Sequence, residues 1–156
     1  MEVFKSVNDI LRFALAKEQA TKQFYLDLSK IVHDQATQAI FKALANEESK
    51  HETAIELELI KIGKIVKPFH YNLSDEIASD LSQINESTKN MTVLDALKLA
   101  MDKERTSFQL FTDMMSLTED RESKEIFYHL AEQEIRHLIR LETEYEALSP
   151  KQNKSI

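Results

Sequence analysis

Residues 7–58 recur without a gap at residues 93–144, so this chain is one motif written twice. A shift of 86 residues sets Val7 on Val93, Asp9 on Asp95, Leu11 on Leu97 and Ala14 on Ala100. Lys17 and Glu18 fall on Lys103 and Glu104, Asp27 on Asp113, and Asp34 on Asp120. Ile40, Phe41, Leu44 and Ala45 meet Ile126, Phe127, Leu130 and Ala131. Glu48, His51, Glu56 and Glu58 meet Glu134, His137, Glu142 and Glu144. These sixteen identities in one register, two histidines among them, exceed what shared helical composition produces. Such a chain must fold as two like units. Two copies at this period do not make a solenoid array.

Each copy reads as a helical hairpin. One glycine and two prolines in 156 residues leave few tight turns, which argues against an all-β fold. Ser6 with Asp9, and Thr92 with Asp95, form Asp-bearing relatives of the helix capping box. Apolar residues then follow at helical spacing: Val7, Leu11, Ala14, Leu15, Phe24, Leu28 and Ile31. Turns are expected near His33-Asp34 and near Thr118-Glu119-Asp120. Ile40, Phe41, Leu44, Ile55, Leu59 and Ile62 mark the return helix, which Gly63 and Pro68 end. Residues 64–91 form a long crossover with a short helix expected after Ser74, striped by Ile77, Leu81 and Ile84. The fold class that follows is all-α, an antiparallel four-helix bundle over residues 1–150. Residues 151–156 read as a disordered tail.

The chemistry lies in the spacing of six residues. Glu48 and His51 are three apart on one helix, so they leave the same face; Glu134 and His137 repeat this. Glu18 precedes Glu48 by 30 residues, and Glu104 precedes Glu134 by 30. The midpoints, His33 and Glu119, sit at the expected turns. An antiparallel hairpin therefore sets Glu18 opposite Glu48, and Glu104 opposite Glu134. All six share stripes with apolar residues: Leu11, Leu15 and Tyr25; Leu44 and Ile55; Leu97, Met101 and Phe108; Leu130 and Leu141. Carboxylates gathered in one core layer repel each other and are poorly solvated. Divalent cations relieve both problems, with imidazoles completing each site. Four glutamates and two histidines suit iron or manganese, with zinc also possible, whereas magnesium rarely selects imidazole.

One glutamate from each of two helices and Glu-x-x-His from each of the other two is the ligand pattern of di-iron and di-manganese carboxylate bundles. The stretches Ala16-Lys17-Glu18, Phe24-Tyr25, Leu44 to His51 and Leu130 to His137 resemble the di-iron domain of the rubrerythrins, in the ferritin-like superfamily. The similarity spans residues 5–148. It implies a di-iron oxidoreductase whose diferrous centre reacts with hydrogen peroxide or dioxygen. Glu48 and Glu134 would bridge the ions, Glu18 and Glu104 would be more terminal, and His51 and His137 would each bind one ion. Tyr25 matches a family tyrosine near the metals, yet its repeat counterpart, Phe111, equally suits a packing residue. Rubrerythrins usually add a four-cysteine rubredoxin-like site. This chain has no cysteine, so a separate electron-donor protein is expected. They also carry an extra glutamate one turn after the third-helix ligand, linked to metal movement. Ser107, with counterpart Thr21, stands there and weakens the case for a peroxidase. Ferroxidation with iron storage or delivery, and a non-catalytic metal-binding bundle, are the alternatives. A homodimer suits the redox enzyme; a hollow cage would suit storage.

The remaining expectations are plainer. A net charge of −7 disfavours nucleic acid. No apolar run approaches the ~18 residues that span a bilayer, and Met1 to Ser6 lacks a signal-peptide core, so a cytoplasmic location is expected. Glu47, Glu52, Glu56, Glu58, Glu132, Glu142 and Glu144 read as solvent-facing. His33, His70 and His129 read as surface histidines, and Met101, Met114 and Met115 as packing residues.

Overall fold

The computed structural model describes residues 6–61, 84–117, 119 and 121–149. It divides into two compact units, Met1–Met91 and Thr92–Ile156. Each holds one hairpin of long α-helices, and no strand occurs among the described residues. The class is all-α, as the sequence predicts.

In the first unit, α1 (Val7–Ile31) packs along α2 (Gln35–Lys61). Ser6 caps α1, its hydroxyl accepting from the Asp9 N–H at 3.2 Å. Val32 turns extended and ends the helix. Asp34 then opens α2: its Oδ2 accepts from the Thr37 N–H at 2.9 Å and from the Thr37 hydroxyl at 2.8 Å. An aspartate at this position satisfies amides that α2 cannot bond internally. The hairpin turn therefore falls at His33-Asp34, as expected. A 3₁₀ helix, Glu86–Asn90, is stapled to that turn. The His33 N–H donates to the Lys89 carbonyl at 2.9 Å, and the Thr37 hydroxyl to the Met91 carbonyl at 3.3 Å. The sequence does not announce this segment, because Glu86 to Asn90 carry no apolar period. Its start is fixed by reciprocal bonds between Asn85 and Thr88.

In the second unit, α3 (Val93–Leu117) packs along α4 (Arg121–Leu148). The Thr92 and Asp95 capping box closes in both directions, each bond 3.1 Å. Glu119 lies in the turn, with Thr118 and Asp120 outside the described residues. The expected helix after Ser74, the end signals Gly63 and Pro68, His70 and the 151–156 tail also lie outside them.

The two hairpins bury equivalent residues. Tyr25 stacks on Phe41 with centroids 6.2 Å apart and planes 23° apart; Phe111 stacks on Phe127 at 6.4 Å and 29°. Ala14 and Ala100, and Leu11 and Leu97, are likewise buried. The repeat is thus a repeat of packing. One stripe needs correction. Met101 and Phe108 on α3 are only half-buried, and the buried face runs through Ala96, Leu97, Ala100, Glu104, Ser107 and Phe111. Met101 and Phe108 lie on one side of Leu97 and Glu104, and Ala96, Ala100, Ser107 and Phe111 on the other, so the expected stripe follows one edge of the buried face. Met114 and Met115 are also half-buried, so their packing is partial.

Candidate metal centre

Within the first hairpin, α1 delivers Glu18 and α2 delivers Glu48 and His51 to one place. Their ligand atoms lie within 4.8 Å of one another. His51 Nδ1 is 3.4 Å from Glu18 Oε2 and 3.6 Å from Glu48 Oε2. The second hairpin does the same with Glu104 from α3 and Glu134 and His137 from α4, again within 4.8 Å. His137 Nδ1 is 3.7 Å from Glu104 Oε1. The four glutamates are 1–2% exposed and the two histidines 8–9%. Each hairpin thus has a buried cluster able to hold a metal ion.

The distances fit that use. Charge-assisted hydrogen bonds are shorter, about 2.7–2.9 Å. Two donors each ~2.1 Å from a shared ion lie roughly 3.0–3.4 Å apart, close to the separations seen. Electrostatics point the same way. Two carboxylates no more than 4.8 Å apart repel by at least about 3 kcal/mol at an effective dielectric near 20. Each hairpin also buries the lysine before its first glutamate, Lys17 or Lys103. Among the described residues, each hairpin then buries two carboxylates against one ammonium, a charge that favours a cation. Hard carboxylate oxygens with one imidazole nitrogen suit iron or manganese.

Other predicted residues fall as follows. Tyr25 is fully buried in the ring pair with Phe41, two turns beyond Glu18 on α1. Ser107, at the place where the resemblance expects an extra glutamate, and its repeat counterpart Thr21 are both buried. The Thr21 hydroxyl donates to the Lys17 carbonyl at 3.1 Å, which places it on its own helix backbone. His33 and His129 are exposed, as expected.

Glu52 departs from its solvent-facing reading. Its Oε1 accepts from Gln19 Nε2 at 3.0 Å and its Oε2 from Lys22 Nζ at 3.1 Å, which ties α2 to α1 beside the ligands. A signal existed in the sequence: Lys22 follows Glu18 by one turn, and Glu52 follows Glu48 by one turn, with opposite charge. Glu47, Glu56, Glu132 and Glu142 are half-buried, while Glu58 and Glu144 are exposed.

The Rubrerythrin family model matches residues 9–145. A solved structure of a hypothetical protein from Pyrococcus furiosus shares the fold, at 21% identity and a TM-score of 0.54, over 91% of this chain and 89% of that one. No curated protein matches the sequence. No helix among the described residues is long and apolar enough to cross a membrane.

Proposed function

The chain belongs to the rubrerythrin family, with a ferritin-like four-helix fold, and from that premise we propose that it is a di-iron carboxylate oxidoreductase. The observation that carries this reading is the paired Glu/Glu/His clusters, buried and equivalent in the two hairpins. Glu18, Glu48 and His51, with Glu104, Glu134 and His137, would hold two iron ions. Two ferrous ions held there would supply the electrons that reduce hydrogen peroxide or dioxygen. The protein contributes the rest. Its glutamates neutralise the ions, its histidines fix their positions, and the buried aromatic pairs at Tyr25 and Phe111 exclude water from the adjoining core. A separate donor protein would return the electrons, and the working assembly would be a homodimer.

One observation favours a second reading. Buried hydroxyls at Thr21 and Ser107 take the place of the extra family glutamate, which suits ferroxidation and iron handling better than peroxide turnover. Stopped-flow oxidation of the iron(II)-loaded protein separates the two. Fast reaction with hydrogen peroxide and slow reaction with dioxygen supports a peroxidase. The reverse order supports iron handling. Equally slow reaction with both contradicts a redox enzyme.

A further inference from the structure

The two clusters have the same ligands but different supports. Each needs one glutamate from one helix and Glu-x-x-His from its neighbour, so affinity depends on how firmly the two helices are held at that height. In the first hairpin, Glu52 spans the gap. It follows His51 directly, and its two oxygens accept from Gln19, the residue after Glu18, and from Lys22, one turn on. The Glu52 side chain is 14% exposed and that of Lys22 32%, so the pair is partly shielded from solvent. In the second hairpin the three positions are Arg105, Phe108 and Leu138. Leu138 is buried and Phe108 half-buried, and neither side chain can make such bonds. Arg105 reaches Glu142 across the hairpin at 3.7 Å, with both side chains about half exposed. Such a surface pair contributes little.

We infer that Glu52, gripped by Gln19 and Lys22, is a positioning residue that preorganises Glu18, Glu48 and His51, so that the first hairpin's ligands take the first metal ion. This rests on the metal-binding reading above. Directional bonds fix the relative height and rotation of α1 and α2, whereas apolar burial is non-directional. A cluster already in its bound geometry loses less on binding than one that must be drawn together.

Stepwise addition of cobalt(II) to the metal-free protein, followed by visible absorbance and calorimetry, tests this. The wild type should bind two ions in unequal steps. His51→Ala should remove the tighter step, and His137→Ala the weaker. Glu52→Leu installs the residue the second hairpin uses, so the fold should survive, which the thermal melt of the metal-free form checks. It should weaken the tighter step about tenfold and spare the other, the loss expected when support outside the ligand shell is removed. Glu52→Gln, which keeps an acceptor for α1, should recover part of that loss. Equal steps in the wild type, loss of the tighter step in His137→Ala, or equal weakening of both steps by Glu52→Leu would each overturn the inference. Two ions bound with an order that Glu52→Leu does not change refutes the positioning role and leaves the metal centre standing. No cobalt bound by the wild type refutes the metal centre and this role with it.

Discussion

His51 Nδ1 faces Glu18 Oε2 across the first hairpin at 3.4 Å, a contact between residues 33 apart that joins α1 to α2 inside the core. An ion bound there ties the two helices together only in the folded chain. Metal should therefore stabilise by mass action, by about 2.7 kcal/mol at a free concentration 100-fold above Kd. For a domain of this size that is roughly 5–10 °C in Tm. Calorimetry before and after chelation checks it, and an unchanged Tm in protein verified to have lost metal would argue against the site.

Glu48→Gln separates the electrostatic cost from the binding role. The substitution keeps the shape and removes one of two carboxylates that lie within 4.8 Å of each other. It should raise the Tm of the metal-free form, recovering at least about 1 kcal/mol of their mutual repulsion, while lowering metal content. A gain in apo stability together with a loss of metal is the signature of a carboxylate kept for a cation.

Tyr25→Phe tests packing against chemistry at the aromatic pair. The second hairpin already uses Phe111 in the same stacked position, so the ring is tolerated. Stability should change by less than about 1.5 kcal/mol, and two metals should still bind. Phe41→Ala, which removes the ring beneath, should cost about 3–5 kcal/mol. Urea unfolding of both variants gives the comparison.

The meeting of Glu18 with Glu48 and His51, and of Glu104 with Glu134 and His137, was legible because three patterns agreed: the internal repeat, the i,i+3 spacing and the placement of Glu18 and Glu104 opposite Glu48 and Glu134. Ser6, Thr92 and Asp34 were readable as punctuation for the same local reason, since capping is decided within four residues. Glu52 was not. Its one hint, the opposite charge of Lys22 at the matching place one turn past Glu18, singles it out only once α1 lies alongside, where Gln19 and Lys22 reach it. Lys17 and Lys103 were visible as a repeated pair, but lysine is so rarely buried that pattern alone gives no reason to place it inside. Met101 and Phe108 failed for a geometric reason: the expected stripe followed one edge of the buried face, on the far side of Glu104 from Ala100, Ser107 and Phe111.

Asp34 should give the hairpin turn a pH dependence. The Thr37 hydroxyl and then the Thr37 amide bond its carboxylate and hold its pKa below the usual 3.8. A depressed folded-state pKa means the stabilisation is complete above 3.8 and is lost as pH falls through the lower folded value. Asp34→Ala should therefore lower Tm at neutral pH, and the gap to wild type should narrow in strong acid. Thermal melts of both proteins across that range check the sign; a gap that widened in acid would contradict it.

The most direct test of the account is the metal count per chain after anaerobic loading with iron(II) and removal of excess, by elemental analysis. The wild type should hold close to two ions and the Glu48→Ala, Glu134→Ala double variant close to none, with both proteins still helical by circular dichroism. A wild type without iron, or a double variant that keeps both ions, would contradict the assignment of these glutamates as metal ligands.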